Sequence, residues 1–163
     1  VSGPVSITSS NEVKLINVVS AEEMKKAIFK EFDQTDILIM TAAVADYKPK
    51  VVANQKIKKG GEELKLELVK TDDILRSISA MKKNQFVVGF ALETNDEKTN
   101  AKEKLRNKKL DVIVLNSLND KGAGFGHDTN KITIITENDE HEYDLKSKSE
   151  VASDILNHIE KSI

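Results

Sequence analysis

The residues best placed to do chemistry are Lys56, Lys58 and Lys59, which follow the small-residue run Ala42-Ala43-Val44-Ala45-Asp46 and the apolar stretch Ile37-Leu38-Ile39-Met40. Lys56 and Lys58 alternate with Ile57, so they share one face if the segment is extended. Three ammonium groups beside residues small enough to let backbone approach a ligand suit a polyphosphate. A solvated run of charge is the ordinary alternative. The same pair of readings applies to Lys102, Lys104, Arg106, Lys108 and Lys109, among which Lys104 and Lys108 fall on one helical face.

Other chemistries find less support. Gly122, Gly124 and Gly126 look like a fragment of a dinucleotide fingerprint, but that fingerprint needs a helix to follow, and here a strand follows. His127, His141 and His158 show no metal-ligand or triad spacing and are expected at the surface. Asp72-Asp73 is accounted for by the positive end of a helix dipole, and no set of residues is singled out as a metal site. There is no cysteine, which excludes a disulfide framework, a thiolate nucleophile and a zinc ribbon within the chain and fits a cytoplasmic location. With 25 Lys and Arg against 27 Asp and Glu, the net charge of -2 argues against a general nucleic-acid or membrane binder, so any basic site is local. No apolar run approaches the ~20 residues a membrane helix needs.

The elements that must position these residues alternate between strand and helix. Val1 to Val5 reads as the end of an apolar strand and a turn, and Lys14 to Val19 as a short strand. Ser20 with Glu23 forms a capping box for a helix that turns Met24, Ala27, Ile28 and Phe32 inward. Ile37–Met40 reads as a buried strand, and Leu64 to Val69, with period two, as a half-exposed one. Thr71 is placed to cap a helix with Asp72 and Asp73 in its first turn and Ile74, Leu75, Ile78 and Met81 inward. Phe86 to Leu92 is the best candidate for a central strand; a charged helix from about Asp96 to Lys109 leads into the strand Asp111 to Leu115.

A hairpin of Lys131 to Thr136 with His141 to Leu145 follows, and a last helix from Ser149 presents Val151, Ile155, Leu156 and Ile159. Continuous apolar strands with short connections to helices are the pattern of parallel βαβ units covered on both faces. In such sheets ligands bind beyond the carboxyl ends of the strands, here the loops after Met40, Leu92 and Leu115, which carry Ala42, Ala43, Asp46, Glu93, Thr94, Asn95, Asn116 and Ser117. Close packing explains small residues after a strand equally well.

Six blocks in order, Ala42-Ala43-Val44-Ala45-Asp46-Tyr47, Lys56-Ile57-Lys58-Lys59, Leu68 to Ile74, Val88 to Thr94, Leu110 to Asn116 and Gly124 to Asn130, resemble the phosphopantothenoylcysteine synthetase family over nearly the whole chain. In most bacteria this synthetase is the carboxyl-terminal half of a bifunctional flavoprotein of coenzyme A biosynthesis. The resemblance implies an α/β, Rossmann-like three-layer fold with a mostly parallel sheet, an edge β-hairpin and a protruding lid or arm. It implies a cytoplasmic homodimer that joins 4'-phosphopantothenate to cysteine using CTP and Mg2+ through an acyl-cytidylate, with FMN needed only where a decarboxylase is fused.

Carried onto this sequence, the resemblance implies a nucleotide site of Met40, Thr41, Ala42, Asp46, Lys56, Asp72, Asp73, Ile74, Leu75, Phe90, Lys104 and Lys108, with Lys56 as the lid lysine acting on the acyl-cytidylate step. Asp72 departs from the family, which commonly has proline there. No Ser-Asn-His segment of the kind that carries the family's catalytic asparagine precedes Val1, so residues 1–163 are expected to form a single synthetase domain lacking its first strand-helix unit. CTP and ATP remain open alternatives. Two other readings stand beside the ligase: a nucleotide-binding module without catalysis, and a nicotinamide-dependent oxidoreductase built on the glycine loop.

Overall fold

The computed structural model describes residues 1–6, 12–58, 60, 63–117, 119, 122–123 and 126–163. In chain order the elements are α1 (Ala21–Phe32), β1 (Ile37–Met40), β2 (Tyr47–Pro49), β3 (Leu68–Lys70), α2 (Ile74–Ser79), β4 (Phe86–Glu93), α3 (Glu97–Asn107), β5 (Val112–Ser117), β6 (Thr129–Asn130), β7 (Ile132–Ile135), β8 (Glu140–Glu142), β9 (Lys146–Ser147) and α4 (Lys148–Glu160). They form two compact units, one of Val1–Lys30 with Ala42–Ile74, the other of Glu31–Thr41 with Leu75–Ile163.

The second unit is built on a five-stranded sheet of order β1-β4-β5-β7-β8. β1, β4 and β5 run parallel, with Met40 opposite Gly89 and Glu93 opposite Ser117. β7 joins β5 antiparallel and β8 closes the edge as the expected hairpin, where the Thr136 N–H donates to Asp139 O at 2.9 Å and the Asp139 N–H donates to Thr136 Oγ1 at 3.0 Å. Because successive strand residues point to opposite faces, β4 and β5 feed two cores at once. Val87, Ala91, Ile113, Leu115 and Ile135 meet Ala101 and Leu105 of α3 on one face. Val88, Val112, Val114, Ile132 and Ile134 meet Val151, Ile155 and Ile159 of α4 on the other. Helix, sheet and helix are therefore three layers, the α/β class that the strand-helix alternation predicts. α4 starts on a full capping box, Ser147 Oγ accepting from Glu150 N while the Glu150 carboxylate accepts from Ser147 N.

The first unit holds the start of α1 and an antiparallel ribbon in which Tyr47 pairs with Lys70 and Pro49 with Leu68. The predicted capping box is present: Glu23 N donates to Ser20 Oγ at 3.2 Å, and the Glu23 carboxylate accepts from Val19 N and Ser20 N. Met24, Ile28 and Phe32 are buried and Ala27 is half-buried.

Several expectations need correction. Ile37–Met40 is an edge strand whose Ile37 and Ile39 stay exposed, because β4 pairs with it on one side and no strand does on the other among the described residues. Lys14 to Val19 makes only a parallel bridge, Asn17 to Ser2, since a few unpaired apolar residues do not by themselves make a ladder. Of Leu64 to Val69 only the last two residues join β3, and Leu64, Leu66 and Leu68 are exposed. α2 begins at Ile74, so Asp72 and Asp73 precede the helix and Thr71 is not its cap; the Thr71 hydroxyl is buried without a hydrogen-bond partner. Met81 and Leu156, expected inward, are exposed, Met81 because α2 has already ended and Leu156 because the buried stripe of α4 runs through Val151, Ile155 and Ile159.

Candidate functional site

The parallel strands end side by side in the second unit, and four of the expected site residues, Met40, Leu75, Phe90 and Lys104, lie on strands or helices there. Met40 closes β1 and is half-buried, and Thr41 beside it is exposed. Phe90, on β4, turns to the α4 side of the sheet and packs against the core there. Leu75 packs on the α3 side, where Gly89 leaves it room: a Cβ on Gly89 would lie 2.9 Å from Leu75 Cδ2 and 2.7 Å from Leu110 Cδ1. The sheet thus places Phe90 and Leu75 on opposite faces of one strand.

Lys104, in the last turn of α3, and Lys108, the cap residue just past its end, sit a turn apart, Lys108 donating its backbone N–H to Lys104 O at 3.0 Å. The Lys104 ammonium is paired with Oε1 of Glu93, the last residue of β4. Asn100 Nδ2 donates to Asn95 O at 2.8 Å and reaches the other Glu93 oxygen at 3.5 Å. At the end of β5, Ser117 Oγ donates to Glu97 at 2.6 Å and Asn119 Nδ2 donates to the same Glu97 oxygen at 2.9 Å and to Thr94 O at 3.0 Å. Side-chain donors of Asn100, Ser117 and Asn119 thereby tie the carboxyl ends of β4 and β5 to the first turn of α3.

In the first unit the loop after Ala42 turns tightly, Val44 N donating to Ala42 O at 3.1 Å, and Asp46 accepts Thr71 N on its carbonyl at 2.8 Å. That bond brings the Asp46 and Asp72 segments together at the base of the β2–β3 ribbon. Lys25 Nζ meets Asp72 at 2.6 Å, and a cleft of about 410 Å³ lined by Glu22, Lys25, Phe29, Lys48, Thr71 and Asp72 opens beside this pair. The Asp72 carboxyl is held below its ordinary value by the Lys25 bond and charge. Ile74 is buried as a core residue. Lys56 and Lys58 are exposed and outside any helix or strand. Lys59 of the same cluster, and Gly124 and Phe125 of the expected glycine loop, lie outside the described residues.

Two features escaped the sequence reading. Glu93 was one polar residue among many at a strand end, and only the i-spacing of α3 against β4 reveals that it faces Lys104. The histidines, expected to be scattered, come together in part: the rings of His141 and His158 stand edge-on with centroids 5.8 Å apart, and His158 Nε2 is buried without a partner. Strand-to-helix packing, not sequence spacing, creates that pair.

A mixed sheet with parallel core strands, a helix layer on each side and polar residues gathered at the parallel strands' carboxyl ends defines the class: a three-layer α/β fold of the kind whose ligands bind beyond those ends. Residues 1–163 match the family model described as the DNA/pantothenate metabolism flavoprotein C-terminal domain, and the chain belongs to that family.

Among its relatives, the Coenzyme A biosynthesis bifunctional protein CoaBC of Bacillus subtilis (strain 168) is 44% identical over 161 residues, covering 98% of this chain and 40% of that protein. A protein named Cysteine/Cysteine sulfinic acid decarboxylase, from an unknown prokaryotic organism, is 52% identical over 160 residues, covering 96% of this chain and 45% of that protein. The crystal structure of the C-terminal domain of Coenzyme A biosynthesis bifunctional protein CoaBC superposes with a TM-score of 0.81 at 37% identity, covering 98% of this chain and 73% of that one. The chain spans less than half the length of the curated relatives it matches.

Proposed function

We propose that this chain is the synthetase part of a phosphopantothenate–cysteine ligase of coenzyme A biosynthesis, using CTP as co-substrate and working as a homodimer in the cytoplasm. The observation that carries the reading is the match of the whole chain to the family together with a CoaBC relative 44% identical across 161 residues. The 52% relative bears a decarboxylase name, but the match covers 45% of that protein, so the name attaches to a longer polypeptide. FMN has a place in this reading only on a decarboxylase region outside residues 1–163.

In the proposed reaction a carboxylate oxygen of 4'-phosphopantothenate attacks the α-phosphorus of CTP, forming the acyl-cytidylate as the bond to pyrophosphate breaks. The cysteine amine then attacks the acyl carbon, CMP leaves with the bonding pair, and the amine gives up a proton. What such a reaction asks of a protein is fixed positive charge around the phosphates and exclusion of water from the mixed anhydride. In this proposal Lys56, Lys104 and Lys108 are assigned to the phosphates, Met40, Thr41, Ala42 and Phe90 to the nucleoside, and Asp46 with Asp72 to Leu75 to further contacts with the nucleotide.

Among the described residues no group of three or more His, Asp or Glu side chains makes a metal cluster. The residues present do not form a magnesium cage, and Mg2+ in such reactions is commonly held by substrate phosphates with one or two carboxylates.

The test is pyrophosphate release by the natural polypeptide that carries this chain, supplied with 4'-phosphopantothenate, cysteine, CTP and Mg2+. Stoichiometric pyrophosphate and CMP are expected. CTP binding by calorimetry without release of either product would leave a nucleotide-binding module in place of a ligase.

A further inference from the structure

We propose that Glu93 is a positioning residue for Lys104: it anchors the lysine at the carboxyl end of the central strand so that its remaining N–H groups face the anionic co-substrate. The inference rests on the ligase reading above and names a residue of the same site. Glu93 ends β4 opposite Ser117, and its side chain reaches the following helix at Lys104 and Asn100. Its side chain is 13% exposed, whereas that of Lys104 is 45% exposed, so the carboxylate is largely removed from water and the ammonium is not. A carboxylate so buried needs compensation. Here Lys104 supplies the charge and Asn100 lies at 3.5 Å from the second oxygen.

The asymmetry gives the pair a direction. A lysine ammonium has three donors and no acceptor. One donor of Lys104 goes to Glu93, which leaves the others on a side chain that is 45% exposed. A free lysine chain carries rotamer entropy that a ligand would have to overcome on binding. With Glu93 holding the ammonium beforehand, that cost falls on folding instead. The loop ties are consistent with a site kept rigid: Asn100 fixes the Asn95 carbonyl, and Glu97 fixes Ser117 and Asn119 at the end of the neighbouring strand.

The test is a double-mutant cycle, Glu93→Gln, Lys104→Gln and both together, in the natural polypeptide, with CTP affinity by calorimetry and denaturation midpoints on every variant. Glu93→Gln is expected to weaken CTP binding about tenfold, Lys104→Gln at least as much, and the double variant no more than Lys104→Gln alone. Stability should separate the variants differently from affinity. Lys104→Gln, which leaves the buried carboxylate uncompensated, should be the least stable, and adding Glu93→Gln should restore part of the loss. A merely structural Glu93 would give additive effects on CTP affinity. Unchanged or tighter CTP binding by Glu93→Gln overturns the proposal while the wild type still binds CTP. Absence of CTP binding by the wild type overturns the nucleotide reading and this inference with it.

Discussion

Lys82 donates to both carboxylate oxygens of Asp111, at 2.8 Å each, and Asp111 Oδ2 also accepts the backbone N–H of Val87 at 2.7 Å. One carboxylate thus joins the turn before β4 to the start of β5, at the amino ends of the strands and away from the ends where ligands bind in such sheets. The side chains are 21% and 30% exposed, so the bonds are only partly screened by water. Truncation to Asp111→Ala strands both Lys82 and the Val87 N–H and should cost about 1–3 kcal/mol in urea denaturation. CTP affinity should not change. A loss in affinity comparable to that of a site variant would mean that this end of the sheet is coupled to the other.

Gly89 is the second prediction. Its added Cβ would meet Leu110 and Leu75 side chains inside a fully packed layer, so Gly89→Ala should cost about 1–3 kcal/mol through overpacking. Adding Leu110→Ala makes room for the new methyl, and the double variant should be more stable than the sum of the two single losses implies. Additive losses would show that the glycine is there for backbone reasons and not for the approach of Leu110 and Leu75.

These cases mark how far the sequence could be read. β4 and β5 were legible because both of their faces are apolar, which only a sheet covered on two sides requires. The capping boxes of α1 and the hairpin turn were legible because their signals are local. What was illegible depends on neighbours. Ile37 and Ile39 are as apolar as Val87 and Val88, and only strand order tells an edge from a centre. Thr71 and Asp72-Asp73 carry the composition of a helix start, yet Thr71 N is bonded to Asp46 O at the base of the ribbon and the helix begins only at Ile74. The candidate site divides in the same way: Lys104 was visible as a charge at helical spacing, while its partner Glu93 needed the packing of α3 on β4.

The third prediction concerns pH. Burial holds the His158 imidazole below its ordinary value near 6.5, His141 adds to this, Asp139 opposes it, and Lys161 lowers it further. Since the unfolded chain binds the proton more readily, the stability held by neutral His158 is complete above about pH 6.5 and is lost as pH falls through and below that value. The carboxyls of Glu22, Asp72, Glu140, Glu142 and Glu150 are all held below their ordinary values by lysine or serine partners. Their contribution is therefore present above the ordinary carboxylate range and lost only in more acid solution. Denaturation midpoints between pH 5 and 7.5 isolate the histidine, and His158→Leu should flatten the profile there. An unchanged slope in that variant would move the effect to another group.

Lys56 gives the last prediction, and its surroundings explain why it is a clean one. The residue is exposed, outside helix and strand, between Val52 and Ile57, which are 79% and 56% exposed. A side chain so placed contributes little to folding, and surface substitutions of this kind usually fall within about 0.5 kcal/mol. In the proposed reaction it stabilises charge on the phosphate only as the acyl-cytidylate forms, an interaction made in the transition state and not in the ground state. Lys56→Gln should then leave the denaturation midpoint unchanged and lower kcat for pyrophosphate release by about 10²–10³, the usual magnitude for deletion of one such group. The KM for CTP should change much less. A fall in affinity without a fall in kcat would make Lys56 a binding residue, and normal turnover would remove it from the site.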